Sequence, residues 1–273
     1  MISSCICDNG KKSYFRKFIS YKNETVFKEF EGIVIGKCEN CGILKTFPPE
    51  SGVKFNPKQS RAEFYDNSQE KFIGLFKPIV NLIKKHKKSG TILDVGCSSG
   101  ILLTLLKKEE FNIKGIEPNK KAFSIAKNKL GKDIFSGTLQ DFLGRNKKKF
   151  DCIIYNHVLE HIEDPVEEIN LAKKILKRGG ILILGVPNTS NIIFYLRQKY
   201  WEPLMPNEHI WHFNTKYLIS LFKRLDLKVI EKYFSDDGRQ DYPLMKKSYF
   251  RTLSFVNKFF GTGEAVLLVF KPI

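Results

Sequence analysis

The sequence predicts an α/β fold in which a doubly wound, mostly parallel sheet follows a small N-terminal module. From about residue 68 to the end of the chain, short apolar runs alternate with stretches of helical periodicity. That order is expected when helices cover both faces of a parallel sheet. Before this region, four of the six cysteines fall within the first 41 residues. The N-terminus is therefore expected to form a unit of its own.

The first elements of the predicted sheet can be assigned in order. Residues 68–88 carry apolar side chains at helical spacing, and Pro78 is expected to kink this helix. The run TILDV at 91–95 follows as a core strand, and ILLTLLKKEEF then has helical character. A second apolar strand, NIKGIE, ends at Glu117. The segment between Val95 and Ile101 therefore joins a strand to a helix.

The remaining strands are predicted from five further apolar runs. The first three are separated by helical stretches, the last two close the chain, and a helix is expected to begin at Thr215. The runs lie at 132–135, 150–155, 180–185, 227–234 and 264–270.

Composition limits the class of protein. With 273 residues and 42% hydrophobic content, the chain is long enough to bury a full core. It contains no run of about 18 apolar residues and no N-terminal signal region, so we expect a soluble protein of the cytoplasm. The formal charge of +17 has two interpretations, a solvated lysine-rich surface or an anionic partner. The lysines lie in short runs typical of helix ends and loops, which favours the solvated surface.

The N-terminal cysteines predict a structural zinc site. Two close pairs, C-x-C and C-x-x-C, can supply four thiolates to one tetrahedral Zn²⁺ ion, which leaves no position for substrate. The apolar residues before the second pair mostly alternate, which indicates a strand or hairpin and the layout of a zinc ribbon. We assign residues 1–55 to this module and 56–273 to the main domain. Cys97 and Cys152 lie beside predicted strands and are expected to be ordinary buried residues. The predicted zinc ligands are Cys5, Cys7, Cys38 and Cys41.

The sequence DVGCSSG at 94–100 is compatible with three kinds of site. It matches the G-x-S-x-G turn that presents a nucleophilic serine, here Ser98, but no upstream glycine pair offers an oxyanion site. It nearly matches the glycine fingerprint of dinucleotide-binding proteins. Glu117 follows Gly96 by about twenty residues, where an acid at the tip of the second strand binds ribose hydroxyls. The spacing favours a nucleoside cofactor over a hydrolase.

Five segments together resemble one family. ILDVGCSSG, GIEPN, GTLQDF, FDCIIYNHVLEHIEDP and LKRGGILILGVPN follow one another over roughly residues 90–235 in the order typical of class I S-adenosylmethionine-dependent methyltransferases. The resemblance implies a Rossmann-like sheet of seven strands, the last antiparallel and formed here by EAVLLVF. It also implies S-adenosylmethionine as the cofactor.

The resemblance implies roles for individual residues of the site. The loop from Asp94 to Gly100 would surround the methionine end of the cofactor, with Ser98 where a glycine is more common. Glu117 would hold the ribose hydroxyls, and Asn156 would face the methyl donor. Asp141 would accept a hydrogen bond from the adenine amino group, although it could merely cap a helix; Asn156 could merely satisfy loop backbone. The implied cofactor residues are Asp94, Gly96, Cys97, Ser98, Gly100, Glu117, Pro118, Leu139, Asp141 and Asn156.

Four histidines are candidates for a general base, the proton acceptor that transfer to a hydroxyl or carbon acid requires. His157 follows Asn156 directly, whereas His161 is interpreted as structural. His209 and His212 close the segment 188–213, which is long for a connection and is predicted to form a lid over the substrate. We favour His209 as the base and His212 as a packing residue, with the reverse assignment and His157 as alternatives.

A second insertion, 236–262, separates the last two strands. Its aromatic residues are expected to pack into the core, and a peripheral membrane contact is the alternative because basic residues accompany them. The aromatic residues are Tyr242, Tyr249, Phe250, Phe255, Phe259 and Phe260, and the basic residues are Lys246, Lys247 and Arg251.

The combination of cysteine module, methyltransferase motifs and HIWHF is similar to enzymes that methylate sugars or glycan intermediates in bacteria and archaea. The resemblance implies a small-molecule, nucleotide-linked or lipid-linked sugar acceptor. Two alternatives stay open: an RNA methyltransferase whose cysteine module and lysines contact phosphates, and a non-catalytic protein that retains the cofactor fold. Nucleic acid is the less favoured partner.

Overall fold

A computed structural model describes residues 1–7, 12–21, 28–49, 69–235, 252–257 and 259–273. The predicted domain boundary at residue 55 lies outside these ranges, as does most of the second insertion. Of the aromatic residues of that insertion, Tyr242, Tyr249 and Phe250 lie outside the described residues.

The main domain is built on a seven-stranded sheet, as predicted. Its central strands β5 to β9 pair in parallel, whereas β12 pairs antiparallel with both β9 and β11. The order across the sheet is β11-β12-β9-β8-β5-β6-β7. The strands are β5 (Thr91–Val95), β6 (Asn112–Glu117), β7 (Ile134–Ser136), β8 (Phe150–Asn156), β9 (Leu176–Pro187), β11 (Leu227–Ser235) and β12 (Ala265–Pro272).

Helices connect these strands and cover the sheet. The first helix is continuous through Pro78, and the helix predicted at Thr215 begins at that residue. The helices are α1 (Gln69–His86), α2 (Ile101–Lys108), α3 (Lys120–Leu130), α4 (Leu139–Leu143), α5 (Pro165–Ile175), α6 (Ile192–Arg197) and α7 (Thr215–Arg224).

The sheet separates two layers of apolar core. Successive side chains of a strand point to opposite faces, and the core clusters follow this alternation. Leu93 and Ile153 belong to one cluster, whereas their neighbours Ile92, Cys152 and Ile154 belong to the other. Because both faces are covered, the strands consist of nearly unbroken apolar runs. This is why their positions could be predicted from the sequence.

A second sheet holds the N-terminal residues. Its order is β1-β2-β3-β4-β10, and its first four strands are β1 (Ile2–Ser4), β2 (Lys12–Ser20), β3 (Val34–Cys38) and β4 (Leu44–Phe47). The strand that leads into the second cysteine pair was predicted, whereas β1 and β2 were not. Ile19, Tyr21 and Ile35 pack in a small core with Trp201 and Leu204 of the predicted lid.

The fifth strand of this sheet comes from the segment predicted as a lid. β10 (Trp211–His212) pairs antiparallel with β4, with Trp211 opposite Lys45. The backbone N–H of Thr46 donates to the carbonyl of Ile210 at 2.9 Å. Segment 188–213 is therefore fixed to the N-terminal sheet by strand pairing.

The end of the second insertion differs from the prediction. Phe255, Phe259 and Phe260 are 71%, 77% and 70% exposed, so the expectation that they pack into the core is wrong. Cys97 and Cys152 are buried as predicted. Within the described residues, no helix combines the length and the apolar character needed to cross a bilayer.

Candidate active site

A cavity of about 400 Å³ opens at the carboxyl ends of β5, β8 and β9. The strand order changes direction here. From β5 the chain continues to β6 and β7 on one side of the sheet, and it then crosses to β8 and β9 on the other side. Ligands of open α/β sheets bind at such a switch point. The cavity wall includes Gly96 and Ser98 after β5, Asn156 and His157 after β8, and Gly185 of β9.

The loop after β5 contains three residues with positive φ angles. Gly96, Ser98 and Gly100 have φ angles of 74°, 50° and 76°, a region that glycine occupies freely and other residues rarely. A Cβ atom added at Gly96 would lie 2.5 Å from Val158 Cγ2. The turn therefore requires glycine at position 96, and serine at 98 accepts an uncommon conformation.

Glu117 lies at the end of β6 and is 6% exposed. Its two carboxylate oxygens accept from the backbone N–H groups of Ser98 and Asn119, each at 2.8 Å. Burial raises the pKa of Glu117, and these two hydrogen bonds oppose the rise. A carboxylate has about four lone-pair sites, so each oxygen can also accept from a ribose hydroxyl.

Asp94, next to this loop, lines the cavity and is 4% exposed. Burial and the nearby negative charge of Glu117 raise the pKa of Asp94 to about 8. A positively charged group bound in the cavity would favour the ionised form, since an opposite charge offsets the cost of burial. The pocket is therefore suited to a cationic ligand.

Three predicted adenine-side residues have different surroundings. Asp141 Oδ2 accepts from Thr138 at the start of α4, so this carboxylate caps the helix. Leu139 is buried and Pro118 is exposed. Like Glu117, these residues do not line the cavity.

The end of β8 presents two polar side chains to the cavity, Asn156 and His157. Gly185 makes room for Asn156, because a Cβ atom at position 185 would lie 2.4 Å from Asn156 Oδ1. His157 has a φ of 55° and donates its backbone N–H to Gly185 O at 2.8 Å. Strained backbone of this kind is concentrated at functional sites. Half of the His157 side chain is exposed.

Glu160 lies behind His157 and was not singled out from the sequence. It is 1% exposed, and its Oε1 lies 3.4 Å from His157 Nδ1. Burial alone would raise the pKa of Glu160, but His157, with the charges that His209 and His161 can carry, lowers it to about 2. A carboxylate beside an imidazole fixes its orientation and stabilises its protonated form. In the sequence, only the neighbouring pair Glu160-His161 in VLEHI could have pointed to this residue.

His209 and His212 lie inside the protein and do not line the cavity. They are 3% and 4% exposed, and burial lowers the pKa of each to about 3. Thr46 Oγ1 donates to the carbonyl of His209 and lies 2.8 Å from His212 Nε2. Because a hydroxyl has one proton to donate, His212 Nε2 is the donor in the second bond. This nitrogen cannot act as a base in that state.

The four N-terminal cysteines converge. Their sulfur atoms all lie within 4.8 Å of one another, with 3.7 Å between Cys5 and Cys41 and 3.9 Å between Cys7 and Cys38. Tetrahedral zinc with bonds of about 2.3 Å separates its sulfurs by about 3.8 Å. The hydrogen bond between Cys5 and Cys41 lowers the pKa of Cys41 to about 6 and raises that of Cys5. The cluster has the size and chemistry of a zinc site.

The sheet order and the site together define a class of protein. A seven-stranded sheet with a glycine loop after its first strand, an acid at the end of its second and a cavity beside the loop is the class I arrangement of S-adenosylmethionine-dependent methyltransferases. The residues present fit this cofactor, because Glu117 can accept from hydroxyls and Asp94, buried at the cavity, favours a positively charged ligand.

Comparison with known proteins identifies the family. Residues 68–232 match the family model described as a methyltransferase domain. The match covers more than half of the chain, and the protein belongs to this family.

Relatives in sequence include two kinds of protein. An uncharacterized protein of Methanocaldococcus jannaschii is 28% identical over 195 residues, which cover 69% of this chain and 90% of the relative. A ubiquinone biosynthesis O-methyltransferase of Actinobacillus pleuropneumoniae is 31% identical over 134 residues, 42% of this chain. The matched region spans 57% of that enzyme.

Solved structures share the fold. A SAM-dependent methyltransferase from Archaeoglobus fulgidus has a TM-score of 0.54 and 16% identity, with 72% of this chain and 92% of that chain covered. The magnesium protoporphyrin IX methyltransferase of Synechocystis, solved with bound SAH, has a TM-score of 0.53 and 14% identity, with 73% and 83% covered. At these identities the likeness concerns the fold alone.

Proposed function

We propose that the protein transfers a methyl group from S-adenosylmethionine to a hydroxyl group of a small acceptor, with a sugar or glycan intermediate as the preferred class. The observation that carries the proposal is the cavity whose wall holds both the glycine loop and His157. The bound cofactor supplies an electrophilic methyl group on a positively charged sulfur. The protein must align the acceptor with that methyl group and remove a proton.

The cofactor's place follows from the loop and the strand ends. Backbone of the loop from Asp94 to Gly100, with Cys97 and Ser98, holds the methionine end, and Glu117 accepts from the ribose hydroxyls. Leu139, Pro118 and Asp141 lie on the adenine side. The match to the methyltransferase family and the position of the cavity at the switch point support this placement.

His157 is the preferred general base. It lines the cavity and is half exposed, whereas His209 and His212 are enclosed. Glu160, 3.4 Å from Nδ1, positions the ring and stabilises its cationic form once the proton has been taken up. This arrangement leaves the other ring nitrogen for the acceptor hydroxyl, and Asn156 beside it can orient the acceptor by hydrogen bonding.

The lining of the cavity favours a hydroxylated acceptor without negative charge. Glu202 and Glu264 offer carboxylate oxygens to hydroxyl groups, and Phe76 and Ile79 offer apolar surface. Among the described residues of the wall there is no lysine or arginine. A nucleotide-linked or lipid-linked acceptor would therefore place its phosphate outside the cavity. An RNA acceptor would have to be bound by basic residues outside the cavity, because the described wall offers no lysine or arginine to its phosphates.

The N-terminal cysteine cluster is proposed to hold one structural Zn²⁺ ion through Cys5, Cys7, Cys38 and Cys41. The sulfur separations support this assignment. Arg224 Nη1 donates to the carbonyl of Cys7 at 2.7 Å, so the zinc-bound loop would be attached directly to α7 of the main domain.

A substitution of His157 tests the proposed mechanism. His157→Asn should lower kcat by about 100- to 10,000-fold, the usual effect of losing a general base. The affinity for S-adenosylmethionine should change little, since the proposed cofactor contacts do not involve the His157 side chain. His86→Gln is the matched control. His86 is the last residue of α1, pairs with Glu231 of β11 and does not line the cavity. Turnover is measured by mass spectrometry of candidate sugar and phenol acceptors with methyl-labelled cofactor.

Two outcomes would contradict the proposal. Unchanged kcat in His157→Asn would show that His157 is not the general base. Failure to bind S-adenosylmethionine in calorimetry would favour the non-catalytic alternative.

A further inference from the structure

Glu160 has an environment that its role behind His157 does not explain. Both carboxylate oxygens are buried and have no hydrogen-bond partner among the described residues. The contact with His157 Nδ1, at 3.4 Å, is longer than a well-formed hydrogen bond. Leaving an ionised carboxylate buried and unbonded is costly, and buried charges in proteins are paired or bind metals. The second oxygen in particular lacks a partner.

Two further histidines face this carboxylate. One ligand atom each of Glu160, His161 and His209 lies within 4.8 Å of the others. His209 Nε2 is 4.0 Å from Glu160 Oε1, and the His161 and His209 rings have centroids 4.7 Å apart. Two ligands of one ion with bonds of about 2.1 Å lie about 3.4 Å apart in tetrahedral geometry. Small side-chain shifts would bring the three groups to metal-binding distance.

The ring of His161 is oriented by the backbone. His161 Nδ1 lies 2.9 Å from the carbonyl of Glu208, so it carries the proton. Metal-binding histidines are typically oriented by such a bond on the opposite ring nitrogen. The lone pair of His161 is therefore on Nε2, and His209 presents its own Nε2 to Glu160.

We propose that Glu160, His161 and His209 bind a divalent transition-metal ion of the Zn²⁺ type. Two imidazoles and one carboxylate are a ligand set of zinc and related ions, whereas Mg²⁺ and Ca²⁺ prefer oxygen ligands alone. The site is separate from the four cysteines.

The ion would have a positioning role in the proposed methyl transfer, and in this respect the inference rests on the proposed function. It joins the turn after β8 to segment 188–213, because Glu160 and His161 come from the first and His209 from the second. Pro203, beside His209, lines the cavity. Binding would fix that part of the wall and, through Glu160, the ring of His157.

Metal content decides whether the site exists. The full chain is purified after growth with Zn²⁺, and zinc per chain is counted by inductively coupled plasma mass spectrometry. Glu160→Gln and His209→Asn should each contain one ion fewer than the wild type, whereas the control His86→Gln should match it. Equal zinc content in the wild type and both variants would overturn the proposal.

Loading with Co²⁺ distinguishes this site from the cysteine cluster by its visible spectrum. Chelator-treated wild-type protein loaded with Co²⁺ should show weak visible bands from a nitrogen and oxygen site besides the intense sulfur-to-metal absorption of the cysteines. Glu160→Gln, checked for folding by circular dichroism, should lose only the weak bands. A spectrum from cysteine ligands alone in the wild type would refute the site.

The metal count is independent of catalysis, so the two proposals can fail separately. A second ion without methylation of any acceptor would contradict the proposed function alone. Methylation by a protein whose zinc content does not depend on Glu160 would contradict the metal site alone.

Discussion

Two buried carboxylates, Asp94 and Glu117, meet the glycine loop from neighbouring strands. Asp94 lies near the end of β5 and lines the cavity, and Glu117 is the last residue of β6 and accepts from the backbone N–H of Ser98. Their roles differ because their partners differ. Glu117 is anchored by two backbone N–H groups, whereas burial keeps Asp94 in its protonated form.

Replacing Glu117 by alanine should weaken cofactor binding. The variant loses the hydrogen bonding between a charged acceptor and the ribose hydroxyls, a loss of about 1.5 to 3 kcal/mol in all. The dissociation constant should rise by about 10- to 100-fold in calorimetry. Glu167→Ala, at the exposed start of α5, is the control and should bind normally. An unchanged constant for Glu117→Ala would reject the ribose assignment.

Asp94 should make the stability of the ligand-free protein depend on pH. Its folded pKa of about 8 lies above that of the unfolded chain, so the folded state keeps a proton that the unfolded state releases. Stability should therefore fall as pH rises from about 5 to 8. Asp94→Asn, which mimics the protonated form, should show a shallower fall in urea unfolding at pH 5, 6, 7 and 8. Parallel curves for the two proteins would contradict this.

At the scale of elements, the packing of β8 against β9 determines the cavity floor. Gly185 and Asn156 lie opposite each other in the register of these strands, and the missing side chain of Gly185 leaves space for the amide of Asn156. Leu267 of β12 approaches from the other side, 2.7 Å from the same Cβ position. Three strands therefore restrict this position to glycine.

Gly185→Ala should destabilise the fold by about 1 to 3 kcal/mol, the usual effect of an extra methyl group in a packed core. It should also displace Asn156 and lower turnover. Gly74→Ala, in α1 with open space at its Cβ position, should instead stabilise by about 0.5 to 1 kcal/mol. Chemical denaturation of both variants measures the difference. Equal stability of the two variants would contradict the prediction, because it would mean that β8 and β9 accommodate the extra methyl group without cost.

Elements of the main sheet could be predicted because their signals are local. The central strands β5, β6, β8 and β9 are apolar runs bounded by glycine loops or helices. β10 could not be predicted, because Trp211 and His212 pair with residues more than 160 positions earlier. The environment of Glu160 could not be predicted for the same reason, because its neighbour His209 comes from a distant segment of the sequence. His209 was therefore expected to face the cavity, whereas its ring packs against His161.

At the scale of the whole molecule, the cysteine module and the main domain share one core. Cys5 and Cys38 belong to the same apolar cluster as Trp211, Phe213 and Leu221. A change in the cysteine cluster is therefore expected to affect the domain that holds the cavity.

Removal of the predicted zinc ion should lower the melting temperature by about 5 °C or more, because metal binding contributes directly to folding free energy. The test is thermal unfolding with and without a strong chelator, together with elemental analysis. Cys38→Ser should contain less zinc than the wild type, and the chelator should shift its melting temperature less. A chelator that leaves the wild-type melting temperature unchanged would contradict the structural role.

The pairing of β4 with β10 also has a consequence for the order in which the protein folds. During synthesis the strands β1 to β4 are complete long before Trp211 emerges, so the outer edge of β4 stays open while the central sheet is still being made. Unpaired strand edges recruit other chains, and pairing over a long sequence separation is slow. The nascent chain is accordingly most prone to aggregation between these two events, and a fragment limited to residues 1–49 would keep that edge permanently open.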